Sequence, residues 1–151
     1  MRVVFIGDIV GSVGRETVRK LLPWISDKYR PDFIIANAEN AAGGRGLNAA
    51  IARDLFEWGI HGITMGNHTW DNREIFDFID DEPRIVRPAN LTPGVPGQGS
   101  MIVKNGNKEL GVINLIGRTF LPPAEDPFRL ADELIPELRK KTKCLLVDFH
   151  A

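Results

Sequence analysis

Five apolar, β-like runs in this chain each end on side chains suited to a metal ion or a phosphate. They are Val3–Asp8, Phe33–Asn40, Gly62–His68, Gly111–Arg118 and Cys144–His150. Parallel strands of an open α/β sheet deliver whatever stands at their carboxyl ends to one shared crevice. On that geometry Asp8, Glu39, Asn40, Asn67, His68 and His150 meet in space although they are far apart along the chain. The pattern reads as a metal site assembled from strand tips, and so as an enzyme.

The 151 residues suffice for one domain, residues 1–151, with a single core. The 19 basic and 20 acidic residues nearly cancel, which argues against extended binding to a nucleic-acid backbone. A small phosphate ester remains compatible, because a metal can supply positive charge locally. The one cysteine, Cys144, lies in an apolar run and reads as a small core residue. A single cysteine allows no internal disulfide and fits a reducing compartment. No apolar stretch approaches the roughly 20 residues that span a bilayer, and no signal peptide is apparent, so the expectation is a cytoplasmic protein.

Strands alternate with amphipathic helices, the pattern of an α/β protein. A glycine-containing turn over Gly11–Gly14 is expected to lead into a helix from about Arg15 to Tyr29. Its apolar face would be Val18, Leu21, Leu22, Ile25 and Tyr29, and Pro23 should kink or shorten it. Asn48 can cap a second helix, with Ile51, Ala52, Leu55 and Phe56 facing inward and Gly59 stopping it. Asp71 and Glu74 have the spacing of a capping box for a third, with Ile75, Phe76 and Ile79 inward. The stretch Pro83–Gly99, with four prolines and three glycines, reads as an ordered loop with at most short strands. Lys104-Asn105-Gly106-Asn107 reads as a hairpin with an Asn-Gly turn. Asp126-Pro127 opens a last helix, interrupted by Pro136. The chain stops one residue after His150, and a domain seldom ends at the tip of a core strand. A further C-terminal portion is therefore expected.

A dinuclear centre needs directed anionic or neutral ligands and a carboxylate able to bridge ions roughly 3.5–4 Å apart. Asp8 and Glu39 supply carboxylates, Asn67 a neutral oxygen and His150 an imidazole nitrogen. Mixed oxygen and nitrogen donors suit iron, manganese or zinc. His68, directly after Asn67, points elsewhere on a tight turn, where it could serve as an acid or a phosphate contact. Taken singly, each has an ordinary account: a turn cap, a solvated loop pair, a satisfied histidine. The coincidence at four strand tips carries the argument. His61 precedes a strand at a junction and reads as structural. The Gly43-Gly44-Arg45-Gly46 loop matches neither the dinucleotide fingerprint nor the P-loop. It reads as a flexible wall of the site, with Arg45 a candidate substrate contact and Arg118 another.

At Phe5-Ile6-Gly7-Asp8, Asn37-Ala38-Glu39-Asn40-Ala41-Ala42-Gly43-Gly44, Gly66-Asn67-His68-Thr69-Trp70 and Asp148-Phe149-His150-Ala151 the chain resembles the calcineurin-like metallophosphoesterases. Within them it is most similar to the YmdB-type family of bacterial 2′,3′-cyclic nucleotide phosphodiesterases. Arg87-Pro88-Ala89-Asn90 and Ile116-Gly117-Arg118 share the likeness. The resemblance implies a β-sandwich flanked by helices. It implies that Asp8, Glu39, Asn67 and His150 are metal ligands, with Glu39 bridging, and that Asn40 binds metal or phosphate. It implies that His68 is the catalytic histidine and that the cofactor is a pair of iron ions, with manganese a usual substitute. The substrate would be a small cyclic nucleotide, with the oligomeric state, homo-oligomer included, left open. The family also carries a later Gly-His-Thr-His-type segment with two further histidine ligands, which lies beyond Ala151.

Two rival readings stand beside this one. A catalytically inactive fragment or regulatory interaction module of the same fold would keep its structure without binding metal. A Rossmann-like nucleotide binder would use the Gly7–Gly14 turn and hold a nicotinamide or flavin in the presence of a chelator.

Overall fold

Strand parity, more than any single residue, arranges the layers in the computed structural model, which describes residues 1–151. β1 (Val3–Ile6), β2 (Phe33–Asn37), β3 (Gly62–Thr64) and β4 (Ile85–Val86) form a parallel sheet in that order. β5 (Ser100–Asn105), β6 (Lys108–Ile116) and β7 (Leu145–His150) form a second sheet, β6 being antiparallel to β5 and parallel to β7. Alternate residues of a strand face opposite sides. Phe33 and Ile35 of β2 therefore meet Val86, Met101, Val103, Leu110 and Val112 between the sheets. Ile34 and Ala36 face the other way, toward Val18 and Leu22 of α1 (Gly11–Tyr29) and Ala52 and Leu55 of α2 (Ala49–Glu57). On the far side, Ile113 and Leu115 pack on Leu138 of α3 (Pro127–Arg139). The result is a β-sandwich with helices on both outer faces, the expected architecture. Cys144 packs at the edge of the inter-sheet core, as expected of a small apolar residue.

The expectation of one open sheet is corrected: the functional tips come from two sheets. Asp8, Glu39 and Asn67 follow β1, β2 and β3, whereas His150 ends β7. The sheets are tied together next to those tips. The Asn114 side-chain amide on β6 donates to the Met65 carbonyl at 2.6 Å and the Val86 carbonyl at 3.1 Å, both belonging to the other sheet. Asn37 donates to the same Met65 carbonyl at 3.3 Å.

Several local expectations change. α1 begins at Gly11 and not near Arg15, and the Gly11 N–H donates to the Asn40 carbonyl at 2.8 Å. Pro23 and Pro136 lie inside unbroken helices. Each is exposed, and Arg19 and Asp132, whose carbonyls lose their amide donors, are also at the surface, where the carbonyls are open to solvent hydrogen bonding. Leu22 and Leu138, both buried, hold these helices to the sheets. Leu21 and Tyr29 prove to be 47% and 41% exposed, so the buried face of α1 is narrower than its apolar pattern. Asn48 caps α2 as expected, accepting from the Ile51 N–H at 2.9 Å. The third helix is only a 3₁₀ segment, Arg73–Asp77. Its cap is Asn72, not Asp71, and Phe76 points outward while Ile75 and Ile79 are buried. Glu74 instead accepts from the Ala49 N–H at the start of α2. The hairpin turns on Gly106-Asn107, with Asn105 and Lys108 still paired and Gly106 at φ +57°.

His61 has the structural role expected of it. Its Nδ1 accepts from the Ile34 N–H at 3.1 Å, and its own N–H donates to the Ile34 carbonyl at 2.8 Å. Burial pushes the imidazole pKa down, so the folded state refuses a proton that the unfolded chain accepts below about pH 6.5. Stability contributed here is complete above that pH and falls as pH drops through it. His61→Asn, which keeps an acceptor without a titrating ring, is expected to flatten part of the acid loss in urea melts. Equal pH slopes for the two proteins would rule out this role.

Candidate metal and phosphate site

The first sheet places three groups within reach of one another. After β2 the chain turns at Glu39-Asn40, and the Glu39 N–H is taken by the Asn37 side-chain oxygen at 3.3 Å. Glu39 is only 1% exposed. Its Oε2 accepts from the His68 backbone N–H at 2.8 Å, and its Oε1 lies 3.2 Å from His150 Nδ1. His150 Nε2 is in turn 2.7 Å from Asn67 Oδ1. A β-carbon on Gly66 would fall on the Glu39 carboxylate, so this position must lack a side chain for the turn after β3 to close over it. After β1, Asp8 Oδ2 accepts from Asn40 Nδ2 at 2.8 Å.

The electrostatics follow from this crowding. Burial pushes the Glu39 carboxyl above the ordinary carboxylate range. The His68 N–H and the charges of His150 and His68 pull it back, and the nearby Asp8 charge raises it further.

His68 leaves the turn on the other side of Asn67. Its Nε2 lies 3.1 Å from Asn67 Nδ2, and its Nδ1 lies 2.8 Å from Asp71 Oδ2. The Arg45 guanidinium reaches to 3.9 Å of the same Asp71 oxygen. Glu39, Asn67, His68 and His150 are thus linked by direct contacts, Arg45 reaches them through Asp71, and Asp8 is held beside them by its bond to Asn40, the residue after Glu39. Arg118 is not: it makes no hydrogen bond or ion pair with the cluster, and its charge acts on Asp126. It lines a cavity of about 550 Å³ with Phe128 and Phe149. Phe149 alternates with His150 along β7, which puts the two on opposite faces of the second sheet.

The donor set suits a hard or borderline cation. It offers carboxylate, amide and imidazole atoms and no thiolate. No group of three His, Cys, Asp or Glu side chains forms a cage by itself. The converging set includes two asparagines, and its donors are turned toward one another in hydrogen bonds. Asn40 Oδ1 is the telling atom: it is buried and has no partner, while the same amide is bonded to Asp8. A bare buried acceptor costs about 1–3 kcal/mol, which a bound cation would offset.

Sequence reasoning missed Asp71, Gly66 and Asn114. The His68-x-x-Asp71 spacing across a turn was the available signal for the first. The other two depend on approach distances that no local pattern records. Gly66→Ala is expected to destabilise the protein by about 1–3 kcal/mol through overpacking against Glu39. A urea midpoint equal to that of the wild type would show that the carboxylate is not held there.

Comparison with known proteins agrees with this architecture. Residues 4–151 match the family described as YmdB-like protein. The whole chain is 58% identical to a Bacillus subtilis (strain 168) protein named 2′,3′-cyclic-nucleotide 2′-phosphodiesterase, and spans 57% of that protein's length. A crystal structure of a hypothetical protein from Thermus thermophilus superposes with a TM-score of 0.91 at 42% identity, over the whole chain and 58% of its own. A structure described as a novel phosphatase from Mycoplasma pneumoniae gives 0.89 at 34% identity, over the whole chain and 55% of its own. By this match over residues 4–151, almost its entire length, the chain belongs to the YmdB-like protein family.

Proposed function

We propose that the protein is a dinuclear-metal phosphodiesterase acting on 2′,3′-cyclic nucleotides, with residues 1–151 forming part of its metallophosphoesterase domain. The observation that carries this reading is the direct contact among Glu39, Asn67 and His150, groups brought from three strands and two sheets. The name of the Bacillus subtilis relative supports the choice of substrate.

Asp8, Glu39, Asn67 and His150 would hold the ions, Asn40 lending its unpartnered oxygen to metal or phosphate. Glu39 is the bridging candidate, since its two oxygens already face different partners. Iron is the metal proposed, with manganese or zinc compatible with the same donors. Such a pair supplies Lewis-acid neutralisation of phosphoryl charge and activation of water when bound.

The chain's own groups do the rest. His68 stands beside the cluster and is partly open to solvent, with 26% of its side chain exposed. From there it delivers a proton to the departing alkoxide of the cyclic ester. Arg45, exposed and lying near Asp71, provides a positive charge for the substrate's phosphate. A water oxygen would bond to phosphorus as the ring P–O bond breaks, the proton from His68 going to the departing oxygen, so that the ring opens without a covalent enzyme intermediate. No helix is long and apolar enough to cross a membrane. The single Cys144 favours the reducing cytoplasm as the place of action.

Metal analysis of the purified protein is expected to find two ions per chain, with turnover of a 2′,3′-cyclic nucleotide lost to a chelator and restored by iron or manganese. A stably folded protein with no metal would mark the rival, a non-catalytic module. His68→Ala is expected to keep its metal while turnover falls by about 10²–10⁴. Unchanged turnover would remove His68 from the proton-donor role.

A further inference from the structure

The segment Arg87-Pro88-Ala89-Asn90 ends on a side chain that completes a strand. Along β6, backbone groups of alternate residues point to opposite neighbours. The N–H groups of Gly111 and Gly117 donate toward β7, to the Cys144 and His150 carbonyls at 2.9 and 2.7 Å. Residues of the other parity point toward β5, whose first residue, Ser100, pairs with Ile113. Past that pair β6 continues to Ile116. Asn114 still meets backbone there, the Gly99 carbonyl at 3.0 Å and the Ala89 N–H at 2.8 Å. At Ile116 a side chain takes over. The Ile116 N–H donates to Asn90 Oδ1 at 2.9 Å, and its carbonyl accepts from Asn90 Nδ2 at 2.7 Å.

An asparagine amide offers the same donor and acceptor as a peptide group. Fully buried, Asn90 stands in for the strand residue that β5 does not supply. Its second amide hydrogen goes to the Glu125 carbonyl at 2.9 Å, and its own carbonyl accepts from the Glu125 N–H at 2.8 Å. Arg87 fixes the base of the segment. Its guanidinium donates to the Pro96 and Gly97 carbonyls, each at 3.2 Å. Across the ladder Ile116 pairs with His150. The register at which His150 meets Asn67 Oδ1 at 2.7 Å and Glu39 Oε1 at 3.2 Å is therefore set from the far side of β6.

We propose that Asn90 is a positioning residue: by closing the edge of β6 at Ile116, its amide holds the β6–β7 tip from which His150 reaches Asn67 and Glu39. Its consequence for metal binding rests on the proposed dinuclear site, whereas its consequence for the strand tip does not.

Residue-resolved hydrogen exchange reads the tip directly. Gly117 and Gly111 donate from the two ends of β6 to β7, so the second is an internal control for the first. Asn90→Ala is expected to speed exchange of the Gly117 amide about 10-fold relative to Gly111. Asn90→Ser, whose hydroxyl can serve at most one of the Ile116 groups, is expected to act in the same direction by a smaller step. It replaces the alanine variant if that protein does not fold. Affinity of the purified protein for iron or manganese is expected to fall by about 10- to 100-fold in Asn90→Ala, the usual size for a group that orients a ligand. Thr142→Val is the matched control. The buried Thr142 hydroxyl donates to the Glu109 carbonyl at 3.0 Å at the opposite end of β6, so its loss weakens the sandwich away from the tip. Metal affinity in that variant is expected to stay at the wild-type value.

Equal exchange changes at Gly117 and Gly111, or none, overturn the proposal. So does unaltered metal affinity in a variant whose tip has opened, or a Thr142→Val protein that loses as much affinity as Asn90→Ala. A wild-type protein that binds no metal would sink the dinuclear reading instead, and the exchange comparison would still decide whether Asn90 holds the bond from Gly117 to His150.

Discussion

A carboxylate removed from water must be met by partners, and the arrangement around Glu39 follows from that requirement. The side chain is 1% exposed, yet both oxygens are engaged, one by the His68 N–H and one by the His150 ring. An isolated buried ion would cost many kcal/mol, so the group either finds such partners or is neutralised. The turn after β3 comes close enough to donate its N–H because Gly66 has no side chain. β7 must run parallel to β6 and end at the right height for His150 to reach the other oxygen. One expensive group thus couples the two sheets and both turns.

The sandwich makes this coupling inexpensive elsewhere. Strand alternation sends Phe33 and Ile35 into the inter-sheet core and then, two residues later on the same face, Asn37. On β6 the same parity follows Val112 with Asn114. Both amides reach the Met65 carbonyl at the end of β3. Apolar packing therefore gives way to polar bonding at the level where the carboxyl ends begin. The site sits on that transition, supported by buried hydrogen bonds that resist shearing of the sheets.

Residue type and period made much of this legible in advance. The five runs are strands, and the residues at four of their ends do converge. Asn48 and Asp126 cap the helices they precede. Where local expectation and structure part, tertiary contacts decide. Local propensity counts a lost hydrogen bond and so predicts a kinked or shortened helix at Pro23 and an interruption at Pro136, whereas tertiary anchoring of Leu22 and Leu138 outweighs it. Leu21 and Tyr29 looked inward because an apolar stripe does not reveal how wide a groove it will meet. Arg118 follows its strand as Asp8 does, yet it makes no bond to the cluster, because a strand-tip side chain can face either side of the sheet.

What the sequence determined by itself was the inventory and its order: which side chains stand at strand ends, and on which face each falls by a period of two. Only the tertiary structure decided the pairings. It turned Asp71 from a helix cap into the partner of His68, and brought His150 from a second sheet onto Glu39. The physical reason is that strand chemistry is set by near neighbours, whereas a hydrogen bond is chosen among whatever donors and acceptors arrive within about 3 Å, and those come from distant parts of the chain.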